Sequence, residues 1–286
     1  METIGQSGLS MINNMKLFLM GIRYKNIIIA LTCCGIAIAK FDISSYQSVA
    51  ISLAVVILLM MIANLANDIL DTQTDSVNRP NRPLITNPSI INIFKMIVLI
   101  FSILVVVLSF FLNWQAQCIA IGSIPLLIFY SKIFKPLPLV GNIVVAFYLA
   151  LVFIFMEISI TNSIELMIIP AYFAFGISII REIIKDIQDY KGDQLTGIKT
   201  LPILIGIKGC IYCVIFLIVC FLFILGIIIL NTLYFYYAMC VFFLVFMPLF
   251  YLIFFLIKNP TSKACREASA LLKKTTILGL IIIYII

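Results

Sequence analysis

Histidine is missing from this chain altogether. Without imidazole there is no Ser-His or Cys-His nucleophile pair, no histidine general base and no histidine-ligated zinc. Charge is scarce as well: Asp, Glu, Lys and Arg make up 11% of the 286 residues, where soluble domains carry roughly 25%. The acids number only twelve, so any clustering among them is informative. Cys210 and Cys213 form a C-x-x-C pair, but no second pair exists to complete a zinc site. Most of the eight cysteines lie inside apolar runs, where they read as small buried hydrophobes.

What is present is overwhelmingly apolar. Hydrophobic residues make up 64% of the chain and the mean hydropathy is +1.22, which marks an integral membrane protein. A bilayer core takes about 20 helical residues to cross. Runs of that order lie at 13–39, 48–67, 94–112, 115–131, 139–157, 166–185, 209–230, 233–257 and 270–286. The expectation is an all-α, polytopic protein with nine transmembrane helices around a central cavity. The third and fourth runs are parted only by "NWQAQ", and Arg23 and Lys25 interrupt the first, so eight or ten remain alternative counts. Basic residues ahead of an apolar stretch, with "AIA" at 37–39, imitate a cleavable signal; cleavage there would leave eight helices and remove Arg23.

With nine spans, eighteen of the nineteen basic residues share one membrane face and only Lys40 lies opposite. The positive-inside rule assigns that face to the cytoplasm. The net charge of +7 is thereby a matter of topology, and no nucleic-acid partner is expected. Glu157 and Glu165 fall on the other face and read as ordinary loop acids.

Half of the acids occur in two matched sets. Asp68, Asp71 and Asp75 are spaced D-x2-D-x3-D, and Asp186, Asp189 and Asp193 repeat that spacing 118 residues later. Offsets of three and seven share one helix face, and each set ends an apolar run on the basic side. The chain reads as a single domain, residues 1–286, of two related halves at about 13–131 and 139–257 plus a C-terminal helix.

Six carboxylates at one membrane end would repel by about 1 kcal/mol per pair even in water. A divalent ion relieves that repulsion, and Mg²⁺ favours a few carboxylates together with substrate phosphate oxygens. Arg79, Arg82, Lys132, Lys135 or Lys185 can then contact the remaining phosphate oxygens. Asn67, four residues before Asp71, joins the same face as a neutral ligand or a donor to phosphate.

Asn67-x3-Asp71-x3-Asp75 followed by "NRPNRPL" resembles the first Asp-rich motif of the UbiA-type intramembrane prenyltransferase superfamily. Asp186-x2-Asp189-x3-Asp193 followed by "GIKTLPILIG" resembles its second. The "YSKIFKPLPLVGN" loop at 130–142 and the "LFLMGIRYKN" entry at 17–26 fit as well, although Arg23-Tyr24 replaces the usual Arg-Pro.

The resemblance implies that two Mg²⁺ ions hold a prenyl diphosphate between the motifs, with Asn67 and the six aspartates as metal ligands and Asp71, Asp75, Asp189 and Asp193 catalytic. It implies that ionisation gives an allylic cation, which an acceptor captures. It places Lys132 at the diphosphate, adds Tyr130 to the substrate-binding set and gives Arg23 an acceptor-side role.

The stretch at 181–206 is most similar to the branch that prenylates geranylgeranylglyceryl phosphate, with geranylgeranyl diphosphate as donor. Arg181 and Lys185, one turn apart, can hold phosphate on either substrate. Aromatic-acceptor prenyltransferases (4-hydroxybenzoate or homogentisate type) share the K-D-x-x-D-x-x-G-D core, and a terpene cyclase on this fold would share both motifs. A cation transporter calls for acids near the bilayer midplane, whereas these sit at one edge beside Arg and Lys. A CDP-alcohol phosphotransferase needs D-G and A-R elements absent from "NDILDTQTD" and "DIQDYKGD".

Overall fold

The computed structural model describes residues 15–43, 45–232 and 235–285, and among these there is no β-strand. Residues 13, 14, 233, 234 and 286, which belong to three of the expected runs, lie outside the described residues. In chain order the helices are α1 (Met15–Gly21), α2 (Tyr24–Ile38), α3 (Tyr46–Leu70), α4 (Thr72–Asn78) and α5 (Pro83–Thr86). After a 3-10 turn at Pro88–Ile90 come α6 (Ile91–Ser109), α7 (Trp114–Ile133), α8 (Val140–Thr161), α9 (Ile168–Thr196) and α10 (Leu201–Thr232). A π turn at Phe242–Phe246 joins α11 (Phe235–Val241) to α12 (Met247–Lys258), and α13 (Ser262–Ile285) completes the set.

Six of these segments are long and apolar enough to cross a bilayer: α3, Pro88–Ser109, α7, α8, Leu201–Asn231 and Phe235–Lys258. The pair α1 and α2, bent by 54°, makes a seventh if it forms one span. Of the nine expected runs, those at 166–185 and 270–286 fall in α9 and α13. Arg181, Glu182 and Lys185 interrupt the apolar part of α9, and α13 stays polar through Lys274. By length and composition the count among the described residues is therefore six or seven.

Local chemistry explains the breaks. Asn113 in "NWQAQ" accepts from the Ala116 N–H at 2.9 Å and starts α7, so the third and fourth runs are separate helices. Ser45 caps α3 in the same way. Arg23 occupies the left-handed region (φ 54°) between α1 and α2. Asn64 on α3 donates to the Ile22 carbonyl at 3.0 Å, satisfying a group that the break would leave without a partner.

The core centres on α9, where Ile177, Ile180, Ile183, Ile184 and Ile187 are buried. It packs against α8, α10 and α13, while α3 packs against α6, α7 and α8. Between membrane helices the gain comes from close packing and polar contacts. At Gly176 a Cβ would lie 2.2 Å from Phe221, so the absent side chain lets α10 seat its ring on α9. A buried Ser52–Ser159 hydrogen bond of 2.8 Å ties α3 to α8. Leu99, Phe110, Trp114, Phe223 and Phe254 stand exposed on the outside, as a lipid-facing surface requires.

Glu157 departs from the loop-acid expectation. It is fully buried and accepts the N–H groups of Glu165, Leu166 and Met167 at 2.7–2.9 Å, so its carboxylate pins the loop into α9. Glu165 is exposed, as expected.

Candidate active site

The first acidic segment crosses a helix break. α3 ends at Leu70, Asp71 leaves helical geometry (φ −95°, ψ 13°), and α4 begins at Thr72. Asp68 is buried and receives Arg23 at 2.9 Å together with Arg82. Two guanidinium groups thus converge on one carboxylate from sequence positions 45 and 14 residues away. Lys135, in the turn after α7, reaches Asp71 Oδ2 at 2.6 Å. The Asn67 amide is satisfied when its nitrogen donates to Ser131 Oγ (2.6 Å) and Asp71 Oδ2 (2.7 Å) and its oxygen accepts from Arg23 (3.0 Å). The reverse orientation would set its oxygen against acceptors and its nitrogen against donors.

The second acidic segment lies on one uninterrupted helix. α9 continues to Thr196 and closes on Gly197 in the left-handed conformation, with Ile198 N–H bonded to the Asp193 carbonyl at 3.0 Å. Asp186 accepts from Asn142 on α8 at 2.7 Å, and Asp189 accepts from Arg79. Asp193 is buried with Oδ1 unpartnered.

Asn78 joins the two segments. Its side chain donates to the Asp189 carbonyl at 3.0 Å and accepts from the Gly192 N–H at 3.1 Å. A Cβ at position 192 would sit 2.2 Å from the Asn78 amide nitrogen, so this contact requires glycine there. Thr74 and Thr196 add a second α4–α9 contact at 3.3 Å.

These helix ends close one side of a cavity of about 410 Å³, within the usual range for small-ligand pockets. Asn67, Asp71, Asp75 and Arg79 line it from α3, α4 and the turn that follows; Asp186 and Asp189 line it from α9. Deeper in, the walls become apolar through Val56, Leu59, Met60, Leu126, Val145 and Val152, with Tyr148, Phe153 and Phe155 among them, whereas Tyr130 stands at the acidic end. The cavity is polar and charged at one end and greasy beyond it.

Of the residues singled out in the sequence, Arg23, Asn67, Asp71, Asp75, Arg79, Tyr130, Arg181, Lys185, Asp186 and Asp189 line this cavity. Asp68, Arg82, Asp193 and Lys132 are outside its lining. Lys132 is exposed in the last turn of α7, whereas Lys135, just past the helix end, turns inward. Asn78, Asn142 and Glu182 also belong to the site and were not anticipated; as single amides or a lone acid they carry no repeating signal.

Among the described residues no three acid, thiol or imidazole side chains converge into a ready-made metal cage. Instead four aspartates of the two acidic segments and the Asn67 amide face one space from two sides, with Glu182 as a fifth carboxylate in the lining. That donor set suits an oxygen-seeking ion that binds through one or two carboxylates plus substrate phosphates, which describes Mg²⁺ better than Zn²⁺.

The model of the UbiA prenyltransferase family matches residues 28–273. Digeranylgeranylglyceryl phosphate synthase of Thermococcus sibiricus is 36% identical over 150 residues, 51% of this chain and 52% of that protein. Its counterpart in Natronomonas pharaonis is 32% identical over 185 residues, 64% of this chain and 65% of that protein. The chain thus spans about half to two thirds of the length of these curated relatives.

A solved structure described as giving structural and mechanistic insights into digeranylgeranylglyceryl phosphate synthase in membranes has a TM-score of 0.75 and 28% identity. That match covers 96% of this chain and 98% of the other. A UbiA homologue from Archaeoglobus fulgidus, bound to DMAPP and Mg²⁺, has a TM-score of 0.68 over 94% of this chain and 99% of its own. At 17% identity that likeness is one of fold.

Proposed function

This chain belongs to the UbiA prenyltransferase family, and we propose that it transfers a prenyl group from a prenyl diphosphate to a lipid acceptor in a Mg²⁺-dependent reaction. Geranylgeranyl diphosphate is the donor of choice and geranylgeranylglyceryl phosphate the acceptor. The observation that carries this reading is a single cavity with facing carboxylates from α3, α4 and α9 at its polar end and an apolar continuation behind them. The names of the curated relatives support the acceptor class.

In this reading Asp71 and Asp75 on one side, with Asp186 and Asp189 on the other, would hold Mg²⁺, two ions in all, with the Asn67 amide assisting. Bound there, the ions supply Lewis-acid neutralisation of the leaving diphosphate. Arg79 and Lys135, already within reach of these carboxylates, contact the remaining phosphate oxygens and stabilise the charge that develops as the allylic C–O bond breaks. The bonding electrons leave with diphosphate, and the allylic cation is met by the acceptor hydroxyl, whose proton passes to the released diphosphate as the ether forms. Tyr130, Tyr148, Phe153 and Phe155 offer π faces to the cation, and the apolar walls keep water away from it. Arg82 and Arg23 act on this site through Asp68.

The same reading takes the chain as one domain of two related halves. Its nine crossings include α9 and α13, and the acidic end faces the cytoplasm, as the one-sided distribution of Lys and Arg favours. An acceptor panel with purified protein and geranylgeranyl diphosphate tests the assignment. Ether product with geranylgeranylglyceryl phosphate is the expected result. Turnover only with 4-hydroxybenzoate or homogentisate would move the chain to the aromatic-acceptor class, and cyclised product without acceptor would make it a cyclase.

A further inference from the structure

One part of the cavity wall is not explained by a prenyl diphosphate. Arg181 and Lys185 on α9 share a single carboxylate, Glu182, at 3.5 and 2.6 Å. Arg181 Nε is buried with no hydrogen-bond partner. From α13 Lys273 joins the same wall, with the neutral amide of Asn26 on α2 at 3.3 Å. Arg181 and Lys25, both positive, lie near enough to act on Lys273. Counting Arg181, Lys185 and Lys273 against Glu182 leaves two positive charges in excess.

That excess distinguishes this wall from the acidic end of the cavity. There Arg79 is paired with Asp189, Lys135 with Asp71, and Arg23 and Arg82 share Asp68. Half-buried cations that converge on a cavity without matching carboxylates repel one another, and an anion bound between them relieves that repulsion. A phosphomonoester carries about −1.5 to −2 charges at neutral pH and offers several acceptor oxygens, which matches the deficit. The position fits a lipid: Ile29, Ala30 and Cys33 of α2 continue the wall beside Asn26 as an apolar surface.

We propose that Arg181, Lys185 and Lys273, with the Asn26 amide, form a second anion site that holds the phosphomonoester headgroup of the acceptor lipid, with Lys273 of α13 as its specificity-determining residue. The inference rests on the proposed lipid-acceptor reaction for its ligand, but not for its geometry. Glu182 fixes the directions of Arg181 and Lys185, and α13 decides whether the site is complete. A headgroup held here stands in the same cavity as the acidic end, next to Asp186.

The test separates the two readings by measuring binding apart from turnover. Dodecyl phosphate and dodecanol are titrated onto the detergent-purified protein in excess chelator. Dodecyl phosphate should bind the wild type better than dodecanol, and Lys273→Met should weaken it by about tenfold or more, with Lys273→Arg largely restoring it. In turnover, Lys273→Met should raise the KM for geranylgeranylglyceryl phosphate far more than the KM for geranylgeranyl diphosphate. Equal binding of dodecyl phosphate by wild type and Lys273→Met, or equal shifts in both KM values, overturns the proposal. If Lys273→Met does not fold, Arg181→Gln is read in the same way. Mg²⁺-dependent release of pyrophosphate from geranylgeranyl diphosphate reports independently on the prenyltransferase reading.

Discussion

The acidic segment after α3 is broken at Asp71 and continues into α4, whereas the one on α9 runs without interruption to Gly197. They share a spacing and use it differently. In the broken segment the last two aspartates, Asp71 and Asp75, line the cavity, while Asp68 is held back by Arg23 and Arg82. In the continuous one the first two, Asp186 and Asp189, line it, and Asp193 is buried beyond its edge. Two unlike segments thus bring four aspartates to one space, each with one aspartate set aside.

Asp71→Ala and Asp189→Ala break this pairing most directly. Each is expected to lower the turnover of geranylgeranyl diphosphate by about a thousandfold or more, with normal membrane insertion. Near-normal turnover in either variant would end the assignment. Asp68→Ala should act on stability instead, because it leaves two guanidinium groups without their shared carboxylate. A loss of about 3 kcal/mol is expected in detergent unfolding, and an unchanged unfolding midpoint would show that the trio is not structural.

Lys135→Ala should lower kcat/KM for the donor by about 10- to 100-fold, with Lys132→Ala costing less. The reverse order would mean that the exposed lysine, and not the one on Asp71, meets the diphosphate. Gly192→Ala should push Asn78 off α9 and cost about tenfold in kcat. Adding Asn78→Ala to it should recover part of the lost thermal stability but not the rate, and this can be read from melting curves and initial velocities on the same samples.

Much of this was legible in advance. Apolar runs of bilayer length announced the helices, and the twin D-x2-D-x3-D spacings announced the site. The helix-face argument failed to sort the aspartates for two reasons: the break at Asp71 changes the phase for Asp75, and on unbroken α9 Asp193 shares the face but lies beyond the reach of the cavity. Whether Asp68 faces the cavity depends on Arg23, 45 residues distant, and no local pattern encodes that. Lys132 and Lys135 are alike in composition, and only the end of α7 at Ile133 turns one outward and the other inward. Arg181, Glu182, Lys185, Asp186 and Asp189 of α9 belong to the cavity wall, and the same charges keep α9 from reading as a membrane span by composition.

Asn78 grips α9 by main-chain atoms alone, the carbonyl of Asp189 and the N–H of Gly192. Such a joint recognises backbone and ignores what the neighbouring side chains are, provided position 192 stays bare. Cavity-facing residues of α9 outside the acidic set, such as Ala174 and Ser178, can therefore be exchanged while the spacing of the two acidic walls is conserved, so that on the proposed reading selectivity can change apart from the groups that meet the diphosphate.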